Sequence, residues 1–162
     1  MKFLWFGKKK SAPKPEAMQE PIREPEEVFS VTGFICETNP IAGTKNAALN
    51  AHTINSLILS IYSQSHELAD VAAQEFFQER GAIALPVTDY SINAERGISA
   101  RIFDGDVKRT VLVGPPAAIS RASTPFCETI AAGVAAAPTS LVVAIDGIAY
   151  ANFEITKETL YS

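Results

Sequence analysis

Few residues of this chain have the type and spacing that chemistry requires. Its 162 residues include two histidines, His52 and His66, and two cysteines, Cys36 and Cys127. Neither histidine has a partner at zinc-ligand spacing, and two distant cysteines do not form a disulfide framework. Each cysteine lies in an apolar segment, so we interpret both as small buried side chains in a reducing compartment. The sequence predicts no metal site.

Composition excludes further classes of function. The chain carries 14 Lys and Arg against 18 Asp and Glu, a formal net charge of −4, which argues against a general nucleic-acid binder. No apolar run approaches the roughly 20 residues that a membrane span needs. Nucleophile-elbow, Walker A and H-E-x-x-H motifs are absent. The expectation is a soluble globular domain.

Composition changes sharply near residue 28. Residues 1–27 hold four of the ten prolines together with runs of charge, which is typical of an extended, flexible linker. From residue 28 onwards, apolar residues recur with strand and helix periodicity. We therefore predict two parts, a flexible tail over residues 1–27 and a folded domain over residues 28–162.

The start of the tail combines aromatic and basic side chains. In chain order these are Phe3, Trp5, Phe6, Lys8, Lys9 and Lys10. Aromatic rings favour the membrane interface and lysines attract anionic lipid, so one interpretation is peripheral membrane contact. The other is a disordered terminus or a segment that docks on a protein partner. Since no secretory signal precedes the domain, we expect a cytoplasmic protein, at the inner face of the membrane if the tail binds lipid.

The first half of the domain reads as a strand followed by two helices. Val28–Cys36 is rich in β-branched and aromatic residues and predicts the strand. Asn46–Tyr62 carries apolar residues at helical spacing, and a second amphipathic stretch ends at Gly81. Ser63 or Ser65 is the predicted cap of that second helix.

The second half predicts hairpins and another helix pair. Asp104-Gly105 and Asp146-Gly147 each separate two apolar stretches, which is a hairpin signal. Between the hairpins, a short turn near Ala118 and the alanine-rich stretch Phe126–Ala136 predict helices. The predicted fold class is α+β, a two-layer sandwich of about six antiparallel strands with two helical hairpins packed on the sheet.

Three short motifs follow in order along this domain. Gln64–Glu67 opens the second helix, Glu95-Arg96-Gly97 precedes a strand, and Leu112–Pro115 ends the next one. In this order, and with the closing strand, Asp-Gly turn and strand, the chain resembles the nucleotide-binding (N) domain of heavy-metal-transporting P-type ATPases. That family has Ser-Glu-His-Pro, Gly-x-Gly and Leu-Val-Gly-Asn at these places. The resemblance covers roughly residues 28–160.

The resemblance implies a nucleotide site that is only partly kept. His66 and Gly97 match the histidine and the second glycine that line the family's adenine pocket. Ser65 stands where the family has glutamate, and Glu95 stands where it has the first glycine. A carboxylate there narrows the pocket and repels phosphate. The alternative is that His66 is a helix-end residue and Gly97 a bend in the sheet.

These departures lead to a functional prediction. The family is phosphorylated on the aspartate of Asp-Lys-Thr-Gly-Thr, a pentapeptide that does not occur in these 162 residues, so we predict no enzymatic activity. The leading hypothesis is a non-catalytic binding or regulatory protein that acts on a membrane-associated protein partner and needs no cofactor. Two alternatives stay open: an adenine-nucleotide sensor that binds ATP or ADP weakly, and the N-domain part of a split metal-transporting ATPase.

Overall fold

Within the described part of the chain, six antiparallel strands form one open sheet. The computed structural model describes residues 25–160, so the aromatic and lysine residues of the predicted tail lie outside the described residues. The spatial order of the strands is β1-β6-β5-β4-β3-β2. Their bounds are β1 Glu26–Cys36, β2 Val87–Asn93, β3 Gly97–Asp104, β4 Val107–Gly114, β5 Leu141–Ile145 and β6 Ile148–Leu160.

Two pairs of helices pack on this sheet. The helices are α1 Ala51–Tyr62, α2 Leu68–Glu79, α3 Pro116–Ala122 and α4 Glu128–Ala136. The predicted α+β sandwich, with its six antiparallel strands and two helix pairs, is confirmed.

Both helices of the first pair begin later than the sequence suggests. The side chain of Asn50 accepts a hydrogen bond from the Thr53 amide at 2.7 Å, so α1 starts after Asn50 and not at Asn46. Neither predicted serine caps α2, whose N-cap is Glu67. Instead, the hydroxyl of Ser65 accepts the Glu67 amide at 3.2 Å and closes a turn just before the helix.

Side-chain alternation places the two helix pairs on opposite faces of the sheet. Val111 and Val113 of β4 belong to the core cluster that contains α1 and α2. Leu112, between them, packs against the cluster that contains Ile119 of α3 and Ile130 of α4. Since successive residues of a strand point to opposite faces, the first helix pair covers one face and the second pair the other. The sheet therefore has helices on both sides, and they do not form the single helix layer of the predicted two-layer arrangement.

The larger core surrounds α1, which is buried from Ile54 to Tyr62. Two of its buried residues are polar for a specific reason. The hydroxyls of Ser56 and Ser60 accept the backbone amides of Ile83 and Leu85 at 3.1 and 2.7 Å. Because buried amides need partners, these serines hold the link between α2 and β2 against the helix.

The β5–β6 hairpin is fastened to the neighbouring strand by its own turn. Asp146 and Gly147 both have positive φ, 53° and 82°, as a type I′ turn requires. The Asp146 carboxylate accepts the Thr110 amide at 2.9 Å and pairs with Arg109 at 3.0 Å. The Asp-Gly signal in the sequence therefore marks both a turn and an anchor for β4. Within residues 25–160, no helix is long and apolar enough to cross a membrane.

Candidate functional site

Gly97 lies at the first position of β3, where two backbones come unusually close. Its φ is +100°, and a Cβ atom there would overlap the carbonyl oxygen of Val113 and lie 2.6 Å from the Cα of Gly114. A Cβ on Gly114 would in turn overlap the carbonyl oxygen of Arg96. The two family-like glycines thus permit close approach of β3 and β4. Their presence has a structural reason whether or not a ligand binds.

His66 lies in the short link between α1 and α2. Its side chain is exposed and has no hydrogen-bond or ion-pair partner within the described part of the chain. The link itself is fixed by Gln74, whose amide nitrogen donates to the carbonyls of Tyr62 at 2.6 Å and Ser65 at 2.9 Å. The imidazole is therefore held at a defined place with its ring nitrogens free to meet a ligand.

The surroundings of His66 are acidic. Glu67 and Asp70 occupy the N-cap and first turn of α2, directly after the histidine. Burial, followed by the charges of Asp70 and Glu67, raises the pKa of Tyr90 on β2. The amino end of α2 thus lies close to β2 and brings two carboxylates with it. A triphosphate near His66 would meet this negative charge.

Glu95 lies in the turn between β2 and β3. The side-chain oxygen of Asn93 accepts the amides of Glu95 and Arg96 at 3.0 and 2.9 Å, which shapes this turn. The Glu95 side chain is exposed. Solvent therefore screens its charge, so its repulsion of an anion is weaker than the sequence alone suggests.

Gly97, one of the four candidate nucleotide residues, lines a cavity. A cavity of about 270 Å³ lies beside it, between β2, β3, β4 and α3. Ser65, His66 and Glu95 are not among its lining residues. Since Ser99 and Leu112 line the cavity, it lies on the α3 face of the sheet, opposite α1 and α2. Gly97 therefore does not share this cavity with the other three candidates.

Two residues near this cavity, Arg96 and Arg121, were not predicted as functional from the sequence. Arg96 lines it, and an adjoining hollow of about 320 Å³ is lined by Arg96, Arg121, Ala118 and Ala122. A sequence signal existed in part, because Ala118 and Ala122 are one helical turn apart with Arg121 beside them. Nothing in the sequence links that turn of helix to Arg96.

The two cysteines are free and half-buried, one against each core. Burial, with a smaller contribution from the Glu37 carboxylate, raises the pKa of the Cys36 thiol to about 11. A neutral thiol is a poor nucleophile and a poor metal ligand, which fits the interpretation of Cys36 as a packing residue. Among the described residues, no group of His, Cys, Asp and Glu side chains has the arrangement of a metal site.

The chain is similar to known proteins in its structure. No family model and no curated protein matches the chain. Among solved structures, the N domain of HMA6, a copper-transporting P-type ATPase, is similar with a TM-score of 0.57 and 15% identity. The match covers 79% of this chain and 98% of that domain.

A second structural match is weaker. The catalytic domain of the CPx-ATPase CopB-B matches at a TM-score of 0.48 and 17% identity, over 83% of this chain and 40% of that one. The strands and helices first define an α+β sandwich. The match to the HMA6 domain then identifies which α+β fold this is. The chain has the fold of a P-type ATPase N domain, as the motifs predicted.

Proposed function

We propose that the chain is a non-catalytic binding protein on an N-domain scaffold, which regulates a membrane-associated protein partner. One observation carries the proposal: the fold is kept over 98% of the HMA6 N domain, whereas Glu95 stands in the turn before Gly97, where the family that the chain resembles has its first glycine. The carboxylates of Glu67 and Asp70 beside His66 support it further. The scaffold is thereby available for another ligand or partner.

The non-catalytic part of the proposal has a chemical argument. Phosphoryl transfer in P-type ATPases needs an acceptor carboxylate, and Asp-Lys-Thr-Gly-Thr is absent from the 162 residues. Incubated with ATP and Mg²⁺, the purified chain should release no phosphate above background. Steady release that follows the protein through purification and disappears in His66→Ala would contradict the proposal.

ATP titration tests the nucleotide site, and Glu95→Gly is the informative variant. The unmodified chain should bind ATP weakly, because Glu67, Asp70 and Glu95 place negative charge around the candidate residues. Removing the Glu95 carboxylate should tighten ATP binding by up to about tenfold, since an exposed charge is partly screened. Adding His66→Ala should reverse that gain. Calorimetric titration at low ionic strength measures all three.

A matched control separates local from general electrostatics. Asp106→Asn removes one exposed carboxylate from the turn at the other end of β3, so it should leave ATP affinity unchanged. Tight binding by the unmodified chain would favour the adenine-nucleotide sensor, an alternative that the exposed and unpartnered His66 supports. Phosphate release only after adding a separate phosphorylation domain would favour a split ATPase.

The membrane part of the proposal rests on the residues before the domain. Anionic liposomes should retain the full-length chain, and Trp5→Ala with Phe6→Ala should weaken retention several-fold because the rings no longer enter the interface. Raising the salt concentration should weaken it as well, since the lysines act electrostatically. Co-sedimentation measures both effects. Equal retention of the two chains would point to a protein-docking role for this segment.

A further inference from the structure

The cavity on the α3 face has the composition of a binding site for a small anion. We propose that the cavity between β2, β3, β4 and α3 binds a small organic anion, a compact apolar group that carries a carboxylate or a phosphate, with Arg96 and Arg121 holding the charge. This inference does not depend on the proposed function. It concerns the sheet face opposite α1 and α2, whereas the link that carries His66 joins those two helices.

Small side chains create the space. Ser91 and Ser99 on the sheet face Ala118 and Ala122 on α3 across the cavity. Ser91 and Ala122 are exposed, so the cavity opens to solvent, and the four small side chains leave room for a ligand. An apolar cavity of about 150 Å³ can hold benzene. The roughly 270 Å³ here therefore accommodates one ring and an attached anionic group.

The walls divide into an apolar part and a polar part. Leu112 and Ile119 supply apolar surface and are continuous with the second core cluster. Ser91 and Ser99 line the same space, and their hydroxyls have no hydrogen-bond partner within residues 25–160. The side-chain oxygen of Asn93 already accepts two amides, so its amino group is the donor that remains available. An occupant with an apolar body and several acceptor atoms matches these walls.

The positive charge of two arginines near the cavity favours an anion as the ligand. Arg96 and Arg121 come from different elements, the β2–β3 turn and the last turn of α3, and both line the adjoining hollow. Neither forms an ion pair with any described residue, and no carboxylate lines either space. A chain of net charge −4 thus places two arginines that have no ion-pair partner among the described residues beside one space. Guanidinium binds carboxylate and phosphate through paired hydrogen bonds.

Two probes and one neutral analogue test the proposal on the full-length chain. Phenyl phosphate and benzoate carry a ring with the two candidate anionic groups, and benzyl alcohol has the ring alone. NMR titration should show at least one anionic probe binding at millimolar concentration or tighter, with shifts centred on Ser99 and Ala118. Benzyl alcohol should bind at least about tenfold more weakly. The phosphate and carboxylate arms show which anion the site prefers.

Charge-neutral variants connect binding to the two arginines. Arg96→Gln combined with Arg121→Gln should weaken binding of the anionic probe about tenfold or more, because both charge-assisted contacts are lost. Arg101→Gln is the matched control: it removes an equal charge from an exposed β3 residue that lines neither space, and it should leave affinity unchanged. Both arginines of the double variant are exposed, so its thermal unfolding should match that of the unmodified chain.

Variants that fill the cavity test the proposal independently of the two arginines. Ala122 lines the cavity and is exposed, so a larger side chain there can fill the space without disturbing the core. Ala122→Leu should therefore abolish binding of the ring-bearing probes. If that variant unfolds, Ser99→Val takes its place, because valine suits a strand and still reduces the volume. The proposal is overturned if neither anion binds by about 10 mM, if benzyl alcohol binds equally well, or if the double arginine variant keeps full affinity.

Discussion

Replacing Gly97 with alanine is expected to lower the free energy of unfolding by about 3 kcal/mol or more. The new Cβ would overlap the Val113 carbonyl oxygen and approach the Gly114 Cα, both backbone atoms of the paired strand. A flexible side chain could move aside, but here β3 and β4 themselves must separate. The φ of +100° adds strain for any residue with a Cβ atom. Urea denaturation followed by circular dichroism measures the loss.

Gly43→Ala is the matched control for this experiment. Gly43 also has a positive φ, +80°, but a Cβ there would have no heavy atom within 4 Å. Its cost should be limited to backbone strain of about 1–2 kcal/mol. The difference between the variants isolates the close approach of β3 and β4. Equal costs would mean that the strands separate easily, and the case for Gly97 as a structural requirement of the sheet would fail.

This result bears on how family motifs are interpreted. A glycine matched to a nucleotide-binding motif is usually explained by the ligand that approaches it. Here the strand pairing alone excludes a side chain at Gly97 and at Gly114. These two glycines therefore say more about the N-domain fold than about nucleotide binding. His66 and Glu95 are the more informative positions for activity, because nothing in the packing of the described residues requires their identity. Ser65, in contrast, has a structural role in the turn before α2.

Local signals explain why the fold could be predicted. Asp146-Gly147 specifies a type I′ turn by itself, since both residues tolerate positive φ. The continuous apolar run Leu141–Ile145 fits a central strand covered on both faces, and β5 lies between β4 and β6. Helix starts were less predictable. Whether Asn46 or Asn50, and Ser65 or Glu67, ends up at the cap depends on contacts that a local pattern does not contain.

The cavity could not be predicted for a related reason. Arg96 and Arg121 lie 25 positions apart in the numbering and meet only because α3 folds back over the sheet. The alanines and serines that leave the space are ordinary residues in a helix and in strands. The cavity exists because small side chains face each other between α3 and the sheet, where Leu112 and Ile119 are the larger neighbours. Sequence periodicity reports which face is buried but not how completely it is filled.

The second large effect is expected in the aromatic core beneath α2. Phe77 is fully buried, and its ring lies 5.0–5.7 Å from those of Phe34, Phe76 and Phe153. These rings join α2 to strands β1 and β6. Phe77→Ala removes the central ring and leaves a cavity, so the free energy of unfolding should fall by about 3–5 kcal/mol. The edge-to-face contacts add to the loss.

Phe103→Ala is the control for the loss of a phenyl ring elsewhere. Phe103 is half-buried in the β3–β4 hairpin, where Lys108 lies 5.2 Å from the ring centre. Its removal should cost only about 1 kcal/mol, since little buried area is lost. Hydrogen exchange should then show faster opening of α2 in Phe77→Ala but not in Phe103→Ala. Because α2 directly follows the link that carries His66, this would identify the ring cluster as the support of that link. Equal losses in the two variants would mean that the domain does not depend on this cluster to hold α2.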